Sequence, residues 1–237
     1  MRSILIAGLA GCTLAAATGP DGSTIGSRFH PPPGFTRLET PAAGFAAYLR
    51  ALPLKPEGAP VLLHNGGRKH RQDAHAAVVD MSVGPKDLQQ CADAVMRLRA
   101  EHLFAAGRQD RIAFHFTSGF LAEWKRWRWG ERIRAEGARC TWHAGARADS
   151  SHAELLRFLD VVFTYAGTRS LAKELVPAAE APLAIGDVFI QAGSPGHAVI
   201  VVDAARHPDG RIAFLLAQSY MPAQEIHVLR NLRQPGL

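Results

Sequence analysis

His197 is the residue whose type and setting most strongly suggest chemistry. It lies in the segment GDVFIQAGSPGHAVIVVD (residues 186–203), where a turn rich in Gly and Pro separates two short apolar runs. Runs of Val, Ile and Phe punctuated in this way predict two adjacent β-strands. An imidazole titrates near neutral pH and transfers protons, so a histidine at the start of a buried strand is a candidate general acid or base. The alternative interpretation is that the ring only bonds a carbonyl oxygen of the turn.

A metal site is the second kind of chemistry that the sequence raises. Candidate ligands cluster before the middle of the chain, at His64, His70, Asp73 and His75. His197 and Asp203 would extend this set. These residues lack the HExxH pattern or a comparable ligand spacing. Neighbouring arginine and lysine residues would also repel a cation. No G-x-S-x-G, P-loop or dinucleotide fingerprint occurs, and the sequence therefore predicts neither a metal nor a cofactor.

The elements that must position His197 are those of an α+β domain. Helical periodicity is confined to the earlier part of the chain and strand patterns dominate the last third, which differs from alternating βαβ units. The clearest helix is predicted over residues 85–104, with its apolar residues on one stripe. An Asn-Gly pair at positions 65 and 66 predicts a hairpin between strands 60–63 and 76–81. The other predicted helices are 45–52, 151–163 and 168–175, and the other predicted strands are 111–116, 188–190, 198–202, 212–217 and 225–229.

The N-terminus predicts export. Arg2 and a short apolar run precede Leu9-Ala10-Gly11-Cys12, which resembles a bacterial lipobox whose cysteine becomes the lipid-bearing first residue. Residues 1–12 are therefore predicted to be a lipoprotein signal peptide. Residues 13–32, rich in small residues and Pro, are predicted to be a flexible tether, and residues 33–237 a single α+β domain. We expect an exported lipoprotein, periplasmic or on the outer membrane, held to the membrane by lipid on Cys12.

Positive charge is concentrated in one stretch of the chain. The formal net charge is +6, and basic residues alternate with aromatic ones in WKRWRWGERIR, residues 124–134. Such interleaving can bind nucleic acid or another anionic polymer. An exported protein rarely meets DNA, and glutamates dilute the patch. We therefore expect no nucleic-acid partner, and a solvated face whose tryptophans pack on the core.

Several long motifs resemble the DUF4846 family of bacterial, often lipid-anchored proteins without an assigned function. The resemblance extends over residues 28–231 and implies membership of that family, but it names no reaction. The motifs that carry it are HAAVV (75–79), DLQQCADAVMRLRAE (87–101), YAGT (165–168), GDVFI…GSPGHAVIVVD (186–203) and LAQSYMPAQ (216–224).

The strands around His197 are also similar to the histidine-bearing strands of NlpC/P60 and papain-like peptidases and amidases. In those proteins a cysteine on the main helix precedes the histidine, and the next strand carries a polar residue that orients the imidazole. The resemblance implies an antiparallel sheet packed against a main helix. It also implies Cys91 as nucleophile, His197 as its base, and Gln218 or Asp203 as the orienting group.

The same resemblance implies the rest of the site. Gln89 or Gln90, just before the cysteine, would donate a hydrogen bond to the oxyanion of a reacting amide. The implied substrate is an amide bond of peptidoglycan or of a peptide.

Two other interpretations of Cys91 remain open at this point. It lies on the apolar stripe of the predicted helix, and a helix that begins at residue 85 would place it in the second turn, where the helix dipole has little effect. It could also pair with Cys140, since an exported compartment permits disulfides. The alternative function is a non-catalytic lipoprotein that binds an envelope glycan or a partner through its aromatic residues, which are Trp124, Trp127, Trp129, Trp142 and Tyr220.

Overall fold

The computed structural model of the protein describes residues 22–178 and 181–232. The predicted signal peptide, with Cys12, lies outside these residues. The helices are α1 (Ile25–Arg28), α2 (Phe45–Arg50), α3 (Cys91–Ala105), α4 (Trp124–Arg128), α5 (His152–Tyr165) and α6 (Thr168–Glu174), with a 3₁₀ turn at Gln109–Arg111. The strands are β1 (Thr36–Arg37), β2 (His75–Val78), β3 (Ala113–His115), β4 (Leu121–Glu123), β5 (Glu131–Glu136), β6 (Arg139–Ala144), β7 (Val188–Gln191), β8 (His197–Arg206), β9 (Ile212–Gln218) and β10 (His227–Leu229).

An antiparallel sheet forms the centre of the fold. Within the described residues it has six strands in the order β1-β8-β9-β10-β2, and β7 pairs with the first half of β8. The register places His197 opposite Gln191 and Ile200 opposite Ala217, and it shifts between Val201 and Asp203. Helices and an antiparallel sheet in one fold confirm the predicted α+β class.

Helix α3 packs on this sheet because the helix and the strand β8 each bury apolar residues against the other. Alternate residues of β8, namely Ala198, Ile200 and Val202, are buried in the same hydrophobic cluster as Val95 and Leu98 of α3. Burying a Val, Leu or Ile side chain stabilises the folded state by about 1.5–3 kcal/mol. The sheet and α3 therefore hold each other in a fixed orientation.

The basic-aromatic segment is part of the protein core and not a free patch. Trp124 and Trp127 are buried and their rings contact Phe158 of α5. Arg132 Nη2 lies 2.6 Å from a carboxylate oxygen of the buried Glu154, which also accepts a hydrogen bond from Trp127 Nε1 at 2.7 Å. Trp124 and Trp127 thus dock on the core as expected, whereas Trp129 of the same segment is 69% exposed. Three of the neighbouring guanidinium groups pair with carboxylates, those of Arg126, Arg128 and Arg132.

The structure corrects the sequence prediction at the main helix, at the tether and at the predicted hairpin. The main helix begins at Cys91 and not at residue 85. The predicted tether is too long at its C-terminal end, because α1 lies inside it and Ile25 is fully buried. The predicted hairpin between 60–63 and 76–81 does not form: β2 pairs with β10, and the Asn-Gly turn closes a small loop in which Leu62 pairs with Arg68. No helix in the described ranges has the length and apolar composition needed to cross a membrane.

Candidate functional site

Cys91 is the first residue of α3. Gln90 is the N-cap, and its backbone N–H donates a 2.9 Å hydrogen bond to Asp93 Oδ2. The Cys91 side chain is 8% exposed and forms no disulfide. The first N–H groups of a helix have no partner within the helix, and the positive end of its dipole stabilises negative charge. Cys91 therefore lies where backbone N–H groups lack partners within the helix.

His197 is the first residue of β8 and follows the tight turn that leads from β7 into β8. Thr168 Oγ1, in the first turn of α6, lies 3.4 Å from both the N and the O of Gly193 in this turn. A Cβ on Gly196 would lie 2.3 Å from the same Thr168 oxygen and 3.0 Å from the carbonyl oxygen of Gln191. Only glycine fits at position 196, which fixes where the His197 backbone enters the strand.

The structure brings His197 and Gln218 together. His197 Nε2 lies 2.8 Å from Gln218 Oε1, across the β8–β9 pair. The ring of Tyr220 packs edge-on against the imidazole, with 5.3 Å between ring centroids. His197 Nδ1 is buried and has no hydrogen-bond partner among the described residues. The imidazole is thus oriented through one nitrogen and has the other nitrogen available.

A second histidine, which the sequence analysis did not single out, lies directly behind Gln218. His227 of β10 is opposite Gln218 in the register, and its Nε2 lies 3.4 Å from Gln218 Nε2 and 3.2 Å from Lys69 Nζ. Its Nδ1 lies 2.9 Å from the carbonyl oxygen of Glu225. Burial lowers the pKa of His227 to about 4, so its ring is neutral at neutral pH. A polar residue inside an apolar strand was the signal that could have identified it, as it identified His197.

Side-chain and backbone contacts tie the start of α3 to the end of β9. The hydroxyl of Ser219, the residue after Gln218, lies 2.9 Å from the carbonyl oxygen of Gln89, two residues before Cys91. Asp87 Oδ1 accepts a 2.6 Å hydrogen bond from the N–H of Ala223. The elements that carry Cys91, His197 and Gln218 are therefore fastened at one end of the sheet, although no hydrogen bond between Cys91 and His197 is present in the described part of the chain.

Gln89, two residues before Cys91, also carries a buried polar atom without a partner among the described residues. Its side chain is 1% exposed; Oε1 accepts a 3.2 Å hydrogen bond from Arg97, and Nε2 has no partner among the described residues. A cavity of about 120 Å³ opens beside it, lined by residues 82–86 and 88–89, by Arg97 and by Leu156, Leu159, Asp160 and Phe163 of α5. Burial raises the pKa of Asp93 to about 7. An amide N–H₂ without a partner is a hydrogen-bond donor available to a ligand.

Asp203 and Cys140 do not take part in this site. The Asp203 carboxylate is buried and pairs with Arg50 at 2.8 Å and with Arg37 at 3.0 Å, because the register shift beyond Val201 changes its position in the strand. It is therefore not the group that orients His197. Cys140 is free and partly buried, so the predicted alternative of a disulfide with Cys91 is wrong.

The candidate metal ligands are dispersed. His64 Nδ1 lies 3.2 Å from the carbonyl oxygen of Pro85, His75 Nε2 lies 3.1 Å from that of Ala59, and Asp73 pairs with Arg71. In residues 22–178 and 181–232, no three His, Cys, Asp or Glu side chains come together as a group that could hold a metal ion. These residues are close in sequence, but their side chains do not form a metal-binding group in the described residues.

The fold and this site define an α+β protein in which a free cysteine at a helix start and a histidine–glutamine pair are carried by elements joined at one end of the central sheet. The chain belongs to the DUF4846 family: the model of that family, described as a domain of unknown function (4846), matches residues 25–237. This confirms the resemblance inferred from the motifs, and the match begins at the first residue of α1. No curated protein and no solved structure matches the chain.

Proposed function

We propose that this protein is a papain-like cysteine hydrolase that cleaves amide bonds, with Cys91 as nucleophile, His197 as general base and Gln218 as the residue that orients the imidazole. The observation that carries the proposal is the His197 ring: Nε2 is bonded to Gln218 at 2.8 Å, while Nδ1 is buried and has no partner in the part of the chain that the structure describes. A buried polar atom without a partner costs free energy, and a catalytic role is one of the reasons for which such an atom persists.

The position of Cys91 supports the same proposal. Sequence periodicity had placed it on an apolar stripe, but of the described residues the central hydrophobic cluster includes Val95 and Leu98 and not Cys91. As the first residue of a fifteen-residue helix, it lies where the dipole stabilises a thiolate.

The chemistry follows from these roles. His197 Nδ1 accepts the Cys91 thiol proton as the sulfur attacks the amide carbonyl carbon, giving a tetrahedral oxyanion. The imidazolium then gives that proton to the leaving nitrogen, the C–N bond breaks, an amine departs and a thioester remains on Cys91. Water, deprotonated by His197, attacks the thioester, and the carboxylic acid leaves as the thiol is restored. Proton transfer of this kind contributes about 10²–10⁴-fold to the rate.

Two donors at the start of α3 and just before it support stabilisation of the oxyanion. The backbone N–H of Cys91 belongs to the first turn of α3, where helical partners are lacking. The Gln89 amide nitrogen is the second candidate, since it is buried and unpaired. Removing one such donor typically lowers kcat by about 10²–10³-fold. Peptidoglycan peptides and other peptide amides are the proposed substrate class, by analogy with related folds.

Alkylation by iodoacetamide tests the proposal. At pH 7 we expect Cys91 to react at least about tenfold faster than Cys140, because only a thiolate attacks the reagent and the proposal gives Cys91 both a helix start and His197 as its base. The reaction is followed peptide by peptide by mass spectrometry, which separates the chain's three cysteines.

Cys140→Ala is the matched control, because it removes the other described thiol without touching the site and should leave the Cys91 rate unchanged. A wild-type Cys91 that reacts no faster than glutathione would contradict a catalytic role.

The proposal also includes an envelope address. Leu9-Ala10-Gly11-Cys12 supports lipid attachment to Cys12, and the substrate class proposed here occurs in the envelope. We expect Cys12→Ser to move the protein from the membrane fraction to the soluble fraction of a bacterial host and to remove the lipid mass from the N-terminal peptide. Cys140→Ser should fractionate like the wild type; an unchanged distribution of the Cys12→Ser protein would exclude the anchor.

A further inference from the structure

A chain of hydrogen bonds runs from the backbone of Glu225 through His227 and Gln218 to His197. At each step, the group before it determines which atom donates and which accepts. This chain of hydrogen bonds begins at Glu225, whose backbone carbonyl can only accept a hydrogen bond. His227 Nδ1 lies 2.9 Å from that oxygen and must therefore carry the proton. Because the ring is neutral, His227 Nε2 has a bare lone pair and can only accept.

The lone pair of His227 determines the orientation of the Gln218 amide. Gln218 Nε2 and Lys69 Nζ both approach it, at 3.4 and 3.2 Å, and both are donors. Turning the amide over would set Gln218 Oε1 against the lone pair, with two acceptors facing each other in a buried position. Such an arrangement is unfavourable, because both acceptors lose their hydrogen bonds away from water. His227 therefore keeps the amide nitrogen on its own side and the amide oxygen towards His197.

We infer that His227 is a positioning residue: by accepting from the Gln218 amide it holds the His197 imidazole as the tautomer with its proton on Nε2 and a bare Nδ1. Gln218 Oε1, at 2.8 Å from His197 Nε2, can only accept, so Nε2 must donate. The bare Nδ1 is then the basic nitrogen. The catalytic consequence rests on the proposed function, since a base is needed only if Cys91 loses its proton to this ring.

Long-range ¹H–¹⁵N correlation spectra of the histidine side chains test the inference without any substrate. In the wild-type protein we expect the proton of His197 on Nε2 and the proton of His227 on Nδ1. This measurement needs no variant and so does not depend on whether a substituted protein folds. A His197 ring protonated on Nδ1 would overturn the inference.

Variants of His227 test the cause. His227→Leu removes the acceptor, and we expect His197 to populate both tautomers and Cys91 alkylation to slow roughly tenfold, as is typical for the loss of an outer-shell partner. His227→Gln restores an acceptor oxygen and should recover both readouts. His75→Leu is the matched control: His75 lies on the neighbouring strand, 6.1 Å from His227 between ring centroids, but its Nε2 bonds Ala59.

The two proposals fail in different ways. An unreactive wild-type Cys91 contradicts the hydrolase but leaves the tautomer measurement intact. A His197 tautomer that stays the same in His227→Leu overturns the positioning role, whatever the reactivity of Cys91. Loss of the tautomer preference in His227→Leu without recovery in His227→Gln would also count against it, because the effect would then follow from disturbed packing.

Discussion

Replacing His197 by alanine is expected to lower the rate of amide hydrolysis by about 10²–10⁴-fold, the range by which a positioned general base accelerates such reactions. The thiol of Cys91 would lose the group that accepts its proton, and the leaving amine would lose its proton donor. The fold should persist, because His197 is only partly buried and β8 continues through nine further residues. The measurement is the release of amines from purified peptidoglycan and from peptide coumarin amides, together with the Cys91 alkylation rate.

His64→Ala is the control for this experiment. Like His197→Ala, it removes one imidazole. The His64 ring bonds the backbone carbonyl oxygen of Pro85, whereas the His197 ring bonds the side chain of Gln218. We expect its hydrolysis and alkylation rates to equal those of the wild type. A His197→Ala protein that alkylates and hydrolyses as fast as the His64→Ala protein would leave His197 no catalytic role.

Elements whose position depends only on nearby residues could be predicted from the sequence. The strand that begins at His197 and the helix beginning near residue 151 lie where their periodicity and punctuation indicate, and Ser151 caps that helix by accepting from the Glu154 N–H. A run of apolar residues alternating with polar ones restricts which side of a strand can be buried, and this restriction does not depend on distant residues.

The start of the main helix could not be predicted in the same way, because contacts with distant residues determine it. Pro85 is a typical first helical residue, yet residues 85–90 are held out of the helix by Asp87 and Gln89, which bond residues 223 and 219. The capping carboxylate is Asp93, in a pattern that differs from the usual Ser/Thr-x-x-Glu signature. The difference moves Cys91 from the second turn to the first residue, and this changes the chemistry expected of it.

Strand pairing and the partners of single polar residues depended on distant contacts too. The Asn-Gly pair makes a turn, as its sequence predicts, but β2 finds β10 about 150 residues away because both carry one apolar face. Gln218 lay in a predicted position, whereas His227 behind it was missed. Register between strands determines which polar residues become neighbours, and no local pattern specifies register across long connections.

Replacing Asp203 by alanine is expected to destabilise the protein by about 3–5 kcal/mol, the typical cost of removing one partner from a buried ion pair. The Asp203 carboxylate is buried; Arg50 of α2 donates a hydrogen bond to it, and Arg37 of β1 forms an ion pair with it. Its loss would leave two guanidinium groups without their counter-ion and would loosen the N-terminal elements from β8. Urea unfolding measures the change in free energy.

The choice of control makes this experiment informative about the site as well. Asp160→Ala removes an exposed carboxylate that pairs with Lys86, and exposed pairs contribute at most about 1 kcal/mol. Below the unfolding transition, Asp203→Ala should still alkylate Cys91 at the wild-type rate, because Gln218 and not Asp203 orients His197. A folded Asp203→Ala protein with a slow Cys91 would mean that the Asp203 carboxylate influences the reactivity of the thiol. A stability equal to that of Asp160→Ala would mean that Arg50 and Arg37 lose their counter-ion at no cost in folding free energy.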